Sequence, residues 1–219
     1  MANKLQVLCF TPKNKEEDKA VLKELQVLGF LDDAVQLYRD CFGSKWRKRN
    51  QGDFPVSKWP DKKIITEKIA PGVGVTYHGL VIAGKLVAAS YTGILPNESE
   101  NFLKFLNNNA AYLLTKYQNP YSFKGLMVAD GHRSSQFQFS NGQTVAQKMI
   151  ELRINYCKQQ GSTGALMYSS AADGNKKIIK RHKQLGWNQI SGIPIYKFYT
   201  HKDAPVDEFE PELVFERSF

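Results

Sequence analysis

Cysteine is scarce in this chain: Cys9, Cys41 and Cys157 are the only three in 219 residues, odd in number and far apart. No two of them stand at a metal-ligand spacing, and a disulfide framework needs an even, closely patterned set, so all three read as reduced packing residues and no metal site is expected. Long apolar runs are missing too. The longest stretch, Leu80 to Leu95, is interrupted by Gly84-Lys85, Ser90 and Thr92, which makes it too short and too broken to span a bilayer. Met1 to Phe10 places a lysine among a few apolar residues and lacks the apolar core and small-residue cleavage site of a secretory signal. The expected compartment is the cytoplasm, with no membrane partner. No internal repeat or low-complexity tract is visible. With 42% hydrophobic and 23% charged residues, the balance is that of a globular domain, and one domain is expected over 1–219.

Acidic residues are the minority, 21 against 30 basic ones, for a net charge of +9. The distribution is uneven. Residues 203–219 hold six acids against Arg217, which leaves 29 basic and 15 acidic residues, or +14, in residues 1–202. A surplus of this kind steers polyanions such as a phosphate-rich cofactor or a nucleic acid, without specifying chemistry. Residues 203–219 read as an acidic extension beyond the fold.

Periodicity supplies the elements. Leu5 to Phe10 alternates as a first strand, followed by helices over Lys15 to Leu28 and from Asp32-Asp33 to Gly43. Ser44 to Pro71, with Trp46, Trp59 and the basic cluster Lys45 to Arg49, has little periodicity and reads as a long loop. Val73 to Ile82 and Leu86 to Leu95 are β-rich runs joined by Ala83-Gly84-Lys85, a hairpin connection. Glu98 to Gln118 carries one apolar helical face and is stopped by Pro120. A strand at Phe123 to Ala129, a helix at Thr144 to Gln160, a strand at Ala165 to Ser169, a helix at Asn175 to Leu185 and a last strand near Pro194 to Tyr199 complete the chain. This alternation predicts an α/β fold, a mixed central sheet flanked by helices.

The most informative stretch is Asn141-Gly142-Gln143-Thr144-Val145-Ala146, a small-residue turn leading from a strand into an amphipathic helix, with Asn141 as a natural N-cap. A helix start exposes unpaired N–H groups and partial positive charge, so a turn with little bulk can receive a diphosphate. One strand further on comes Asn175-Lys176-Lys177-Ile178-Ile179-Lys180-Arg181-His182-Lys183-Gln184-Leu185-Gly186-Trp187.

Together these stretches resemble the GNAT acyltransferases. That family's diphosphate motif, R/Q-x-x-G-x-G/A at a helix head, places its marked positions on Asn141, Thr144 and Ala146, of which Ala146 is a strict match. Its later signature, N-x-x-A-I-x-x-Y-x-x-L-G-F, matches at Asn175, Ile179, Leu185 and Gly186, with Ile178, His182 and Trp187 as substitutions and no gap. The resemblance covers roughly residues 123–199, which would form the acyl-CoA-binding half. It implies an N-acyltransferase that moves an acetyl or other short acyl group from acyl-CoA, acetyl-CoA first, to an amine by direct attack. The amine would be a small molecule or belong to a protein. The implied cofactor contacts are Leu126, Met127 and Val128 along a pantetheine arm, Asn141, Gly142, Gln143, Thr144, Val145 and Ala146 around the diphosphate, and Asn175 and Lys176.

The resemblance implies His182 as a catalytic residue, and Asp130 is a further candidate from its place in the sequence. His182 stands where the family has a tyrosine that protonates the departing thiolate, and with an ordinary pKa of ~6.5 its proton donation should weaken as pH rises through neutrality. Asp130, at the strand's end, is the first candidate for the base, with Glu67, His78 and Glu98 behind it. Two rivals remain: an enzyme whose amine is carried on a nucleic acid, suggested by the +14 surplus, and a non-catalytic binding module on the same fold, suggested by Asn141 and Thr144.

Overall fold

Leu5–Phe10 folds as an edge strand, β1, in the computed structural model, which describes residues 5–49, 65–66, 69–133, 136–170, 176–194, 196–199 and 209–219. The helices α1 (Lys15–Val27) and α2 (Leu31–Arg49) follow. α2 runs past Gly43, where the sequence predicted its end, so Ser44 to Arg49 is helix and not loop. A single interior glycine costs a helix only about 1 kcal/mol, and the Lys, Trp and Arg residues after it tolerate the helical backbone. The side chains of Lys45 to Arg49 lie outside the described residues.

β2 (Val75–Ile82) and β3 (Lys85–Ile94) are joined through Ala83 and Gly84 at φ 51° and 77°. Two positive φ values in succession are what a tight hairpin turn between twisted strands demands. The single helix predicted for Glu98 to Gln118 is two, α3 (Glu100–Ala110) and α4 (Tyr112–Lys116). Three asparagines, Asn107 to Asn109, precede the break, and Asn109 Nδ2 donates to the Phe105 carbonyl at 2.9 Å. That side chain competes for the carbonyl of the helical ladder. The rest is β4 (Tyr121–Val128), α5 (Val145–Gln159), β5 (Gly164–Ser170), α6 (Lys176–Gln184), β6 (Asn188–Gln189), β7 (Tyr196–Tyr199) and β8 (Phe209–Ser218).

The chain divides into two compact units, 1–92 with 125–151 and 93–124 with 152–219. It passes from one to the other within β3, within β4 and within α5, never at a loop. In the first unit the strand order is β1-β2-β3-β4, with β1 antiparallel to β2. Its core joins Leu8, Tyr77, Val81 and Ala89 of the strands to Val21 and Leu25 of α1 and Val35 and Leu37 of α2.

In the second unit the order is β4-β5-β8-β6, with β7 also on β8. β4 and β5 are parallel, and β5 and β8 are antiparallel from Gly164↔Ser218 to Ser170↔Glu212. Phe102, Leu106 and Leu113 of α3 and α4 pack with Leu166 and Val214. The sheet is mixed and flanked by helices, as predicted. One expectation is overturned: Phe209–Ser218, read as part of an acidic extension, is a strand between β5 and β6. Its acids and Pro211 argue against a strand by composition, yet Val214 and Phe215 are fully buried, and that burial decides the outcome.

Candidate functional site

In the first unit, β4 is followed by a turn and then by the start of α5. Gly125 stands in mid-strand at φ 39°, a left-handed value that glycine alone adopts without strain and that marks a local break in strand geometry. Further on, the Gly142 N–H donates to the Phe139 carbonyl at 2.8 Å, the Phe139 N–H to the Gln143 carbonyl at 2.9 Å, and Gln138 bridges Thr144. With Gly142 at φ 76°, this is a hairpin turn closed by a glycine bulge.

Asn141 therefore belongs to the turn and not to the helix. Its Oδ1 accepts from the Gln143 N–H at 3.0 Å. The N-cap is Thr144, whose Oγ1 accepts from the Gln147 N–H at 3.2 Å while Gln147 Oε1 accepts from the Thr144 N–H at 2.8 Å. This is the reciprocal capping box of a T-x-x-Q sequence. A cap must stand immediately before the first helical residue, and the hairpin consumes 139–143. Gln143 Nε2 reaches back along α5 to Glu151 at 2.7 Å, beside Lys148, and these two contacts in that order lower the Glu151 pKa. The N–H groups of Gln143, Thr144 and Gln147 are thus held by this chain's own side chains. Those of Val145 and Ala146, the first two residues of α5, find no acceptor among the described residues. Both side chains are buried, so the helix start is capped yet still offers two donors.

At the end of β4, Arg133 gathers three partners. Its Nε donates to the Val128 carbonyl at 2.9 Å, Nη1 pairs with Asp130 at 2.6 Å, and Nη2 stands 3.4 Å from Cys41 Sγ. Asp130 is exposed but already ion-paired, so it could serve as a base only after Arg133 releases it. The other candidate bases are placed differently. His78 is buried with Nε2 2.7 Å from Thr92 Oγ1, Glu98 is buried against Lys124 at 2.7 Å, and Glu67 lies outside the described residues. His132, Phe137 and Phe139 form an aromatic row with centroid distances of 5.0 and 5.4 Å. Along β4, Met127 and Val128 bury their side chains and Leu126 is half-buried.

His182 belongs to the second unit. Its Nε2 lies 3.0 Å from Ser169 Oγ and its ring 4.8 Å from that of Phe215. Ile179, His182 and Leu185 are half-buried while Lys180, Arg181 and Lys183 are exposed, so the first three share the inward face of α6. Burial first, then the charge of Arg181, draws the His182 pKa from 6.5 down to about 4. The ring is neutral at physiological pH, so of imidazolium and neutral imidazole it is the neutral form that is present there, and the expected weakening of proton donation through neutrality is corrected. Asn175 lies outside the described residues. Lys176 is placed only as the first residue of α6, its side chain outside them too.

This depressed pKa fixes a pH dependence of stability. Between pH 6.5 and about 4 the unfolded chain takes up a proton that the folded chain refuses. The stability owed to a neutral His182 is therefore whole above pH 6.5 and lost as pH falls toward 4, by at most about 3 kcal/mol. The urea midpoint of the wild type should fall between pH 7 and pH 4.5 more than that of His182→Phe. Parallel falls would contradict the assignment.

Of the residues singled out in the sequence, the structure brings Leu126 to Val128, Asp130 and Asn141 to Ala146 into one unit, and places His182 in the other. Gly125 and the cap pair Thr144 and Gln147 carry sequence signals, a glycine inside a strand and a T-x-x-Q before an apolar run. Ser169 carries none, since tertiary contact alone makes it the partner of His182.

No family model matches the chain, and no curated protein matches it by sequence. The likeness is structural. An N-acyl amino acid synthase from uncultured soil microbes superposes with a TM-score of 0.56 at 10% identity, covering 99% of this chain and 90% of that one. An aminoglycoside 6′-acetyltransferase type Ii gives 0.52 at 9% identity over 97% and 96%. A probable acetyltransferase from Staphylococcus epidermidis gives 0.50 at 12% identity over 98% and 99%. The protein has the acyl-CoA N-acyltransferase fold, that of the GNAT superfamily. Among the described residues no helix is long and apolar enough to cross a membrane.

Proposed function

We propose that the protein is an N-acyltransferase that moves an acetyl or other short acyl group from acyl-CoA to an amine. The observation that carries this reading is the assembly, in one unit, of the second half of β4 from its Gly125 break onward and of a small-residue helix start whose Val145 and Ala146 N–H groups are open. Two such donors at the positive end of a 15-residue helix suit a diphosphate. The +14 of residues 1–202 would favour the approach of a polyanionic donor. The acceptor nitrogen would attack the thioester carbonyl directly, and coenzyme A would leave as a thiol. Asp130 is proposed as the base, acting once Arg133 lets it go.

For His182 we keep the role that the resemblance gives its position, toward the departing thiolate. Being neutral, it would supply a hydrogen bond and not a full proton. His182→Phe should then lower kcat by roughly 10-fold, less than the roughly 100-fold or more that a full general acid contributes. KM for acetyl-CoA should be little changed, and wild type and variant should share one pH profile from pH 6 to 8. The assay is release of free thiol from acetyl-CoA with a panel of amines. Equal turnover would remove His182 from the mechanism.

A second reading, a binding module without catalysis, is favoured by one observation: the N–H groups of Gln143, Thr144 and Gln147 are satisfied internally. Saturable binding of acetyl-CoA with no thiol released for any amine would select it.

A further inference from the structure

Arg133 follows the short helical turn Asp130–His132 at the end of β4, and its guanidinium is planted at one end. Nε donates to the Val128 carbonyl at 2.9 Å, which leaves the two Nη groups to other partners. Nη1 pairs with Asp130 Oδ1 at 2.6 Å, and Nη2 stands 3.4 Å from Cys41 Sγ. Among the described residues these are all its side-chain partners. The remaining N–H groups are unspent, and sulfur is a weak acceptor. The Arg133 and Asp130 side chains are 40% and 72% exposed.

An ion pair this open, made through a single carboxylate oxygen, contributes little and is readily exchanged. The Nη1–Nη2 edge of a guanidinium instead matches a carboxylate with two parallel N–H···O bonds. In Arg133 that edge holds one oxygen on one side and a thiol on the other. Cys41, Val128, Asp130 and Arg133 all belong to the first unit, with the start of α5. Asp130 cannot take a proton from an amine while Arg133 holds it, so the guanidinium must first be drawn to a better partner. The group best able to compete is another carboxylate, and the amine itself can carry one.

We propose that the amine bears a carboxylate, as a free amino acid does, and that this carboxylate takes the Nη1–Nη2 edge of Arg133 and so releases Asp130. The assignment rests on the acyl transfer proposed above and names its substrate class. The amine enters as an ammonium and gives one proton to Asp130. Its nitrogen forms the N–C bond as the C–S bond breaks, and a second proton leaves on the sulfur of coenzyme A. An amine without the carboxylate leaves Asp130 paired.

The test measures thiol release from acetyl-CoA with glycine, leucine and phenylalanine, each beside its amide, in wild type, Arg133→Gln and Arg133→Lys. The amide is the less basic amine and offers more free base near neutral pH, so a preference for the acid runs against intrinsic reactivity. Wild type should favour at least one amino acid over its amide by about 10-fold or more in kcat/KM, the scale of a charge-assisted pair. Arg133→Gln should lose that preference and turn over the amide about 2- to 5-fold faster, since an exposed ion pair no longer holds Asp130. Arg133→Lys, a cation without the fork, should keep part of the preference. The Arg133 Nε–H resonance of the wild type, with coenzyme A present, gives a readout free of turnover and of variant folding: it should shift with the amino acid and not with the amide. Equal kcat/KM for acid and amide in wild type overturns the proposal, and so does a preference that survives in Arg133→Gln. An equal fall with both amines in that variant also overturns it, because it marks a structural role. If no amine releases thiol, a resonance shifted by an amino acid alone overturns the acyl-transfer reading and keeps the carboxylate site. No shift with any amino acid overturns the site itself.

Discussion

A chain truncated after Lys202 is expected to be recovered without a cooperative thermal transition. The deletion removes β8, which pairs with β5 over seven residues, with β7 over four and with β6 over two. It takes away Val214 and Phe215, at 3% and 0% exposure, and each forfeits about 2–3 kcal/mol of burial. It also strips hydrogen-bond partners from three strands. Tyr117 and Lys116 lose Glu216, at 2.8 and 2.7 Å, and the Leu185 carbonyl loses Arg217. Against a typical net stability of about 5–15 kcal/mol, the sum is decisive. Differential scanning calorimetry and near-ultraviolet circular dichroism check the outcome. A truncated protein with a sharp transition and native aromatic signals would contradict the placement of β8.

Thr144→Asp should abolish most acyl-CoA binding and leave the fold intact. Aspartate caps a helix as well as threonine and favours the positive end of its dipole, so the melting temperature should stay within a few degrees of wild type. A diphosphate at the Val145 and Ala146 N–H groups would meet a carboxylate about 5 Å away. At an effective dielectric of about 20 that repulsion is roughly 3 kcal/mol per unit of phosphate charge, a loss of affinity on the order of 100-fold or more. Fluorescence or calorimetric titration of the folded variant measures it. This substitution is a cleaner test than a charge at Ala146, which is buried at 6% exposure, so that a glutamate there would damage the helix itself. Undiminished affinity in Thr144→Asp would move the diphosphate elsewhere.

The α/β alternation was legible because apolar periodicity survives in most elements, from Leu5–Phe10 to Lys176–Gln184. What escaped the sequence were features decided by tertiary contact. Pro211 and the glutamates of Phe209–Ser218 disguise a strand whose burial comes from residues far away in the chain. The cap was misplaced by three residues because Asn141 suits both a turn and a helix start, and only the 138–144 hairpin decides between them. The composition around His182, with Arg181 and Lys183 beside it, suggests a solvated histidine. The ring lies instead against Phe215, and desolvation sets its charge state.

The central claim, that the helix start at Val145 and Ala146 receives an acyl-CoA, is tested most directly by calorimetric titration of acetyl-CoA into the wild-type protein. The account predicts saturable binding to a single site, with a Kd in the range of about 1 μM to 1 mM common for enzyme substrates. Binding should be lost in Thr144→Asp. A titration without saturable heat up to millimolar acetyl-CoA, at two temperatures so that a vanishing enthalpy does not hide binding, would contradict it.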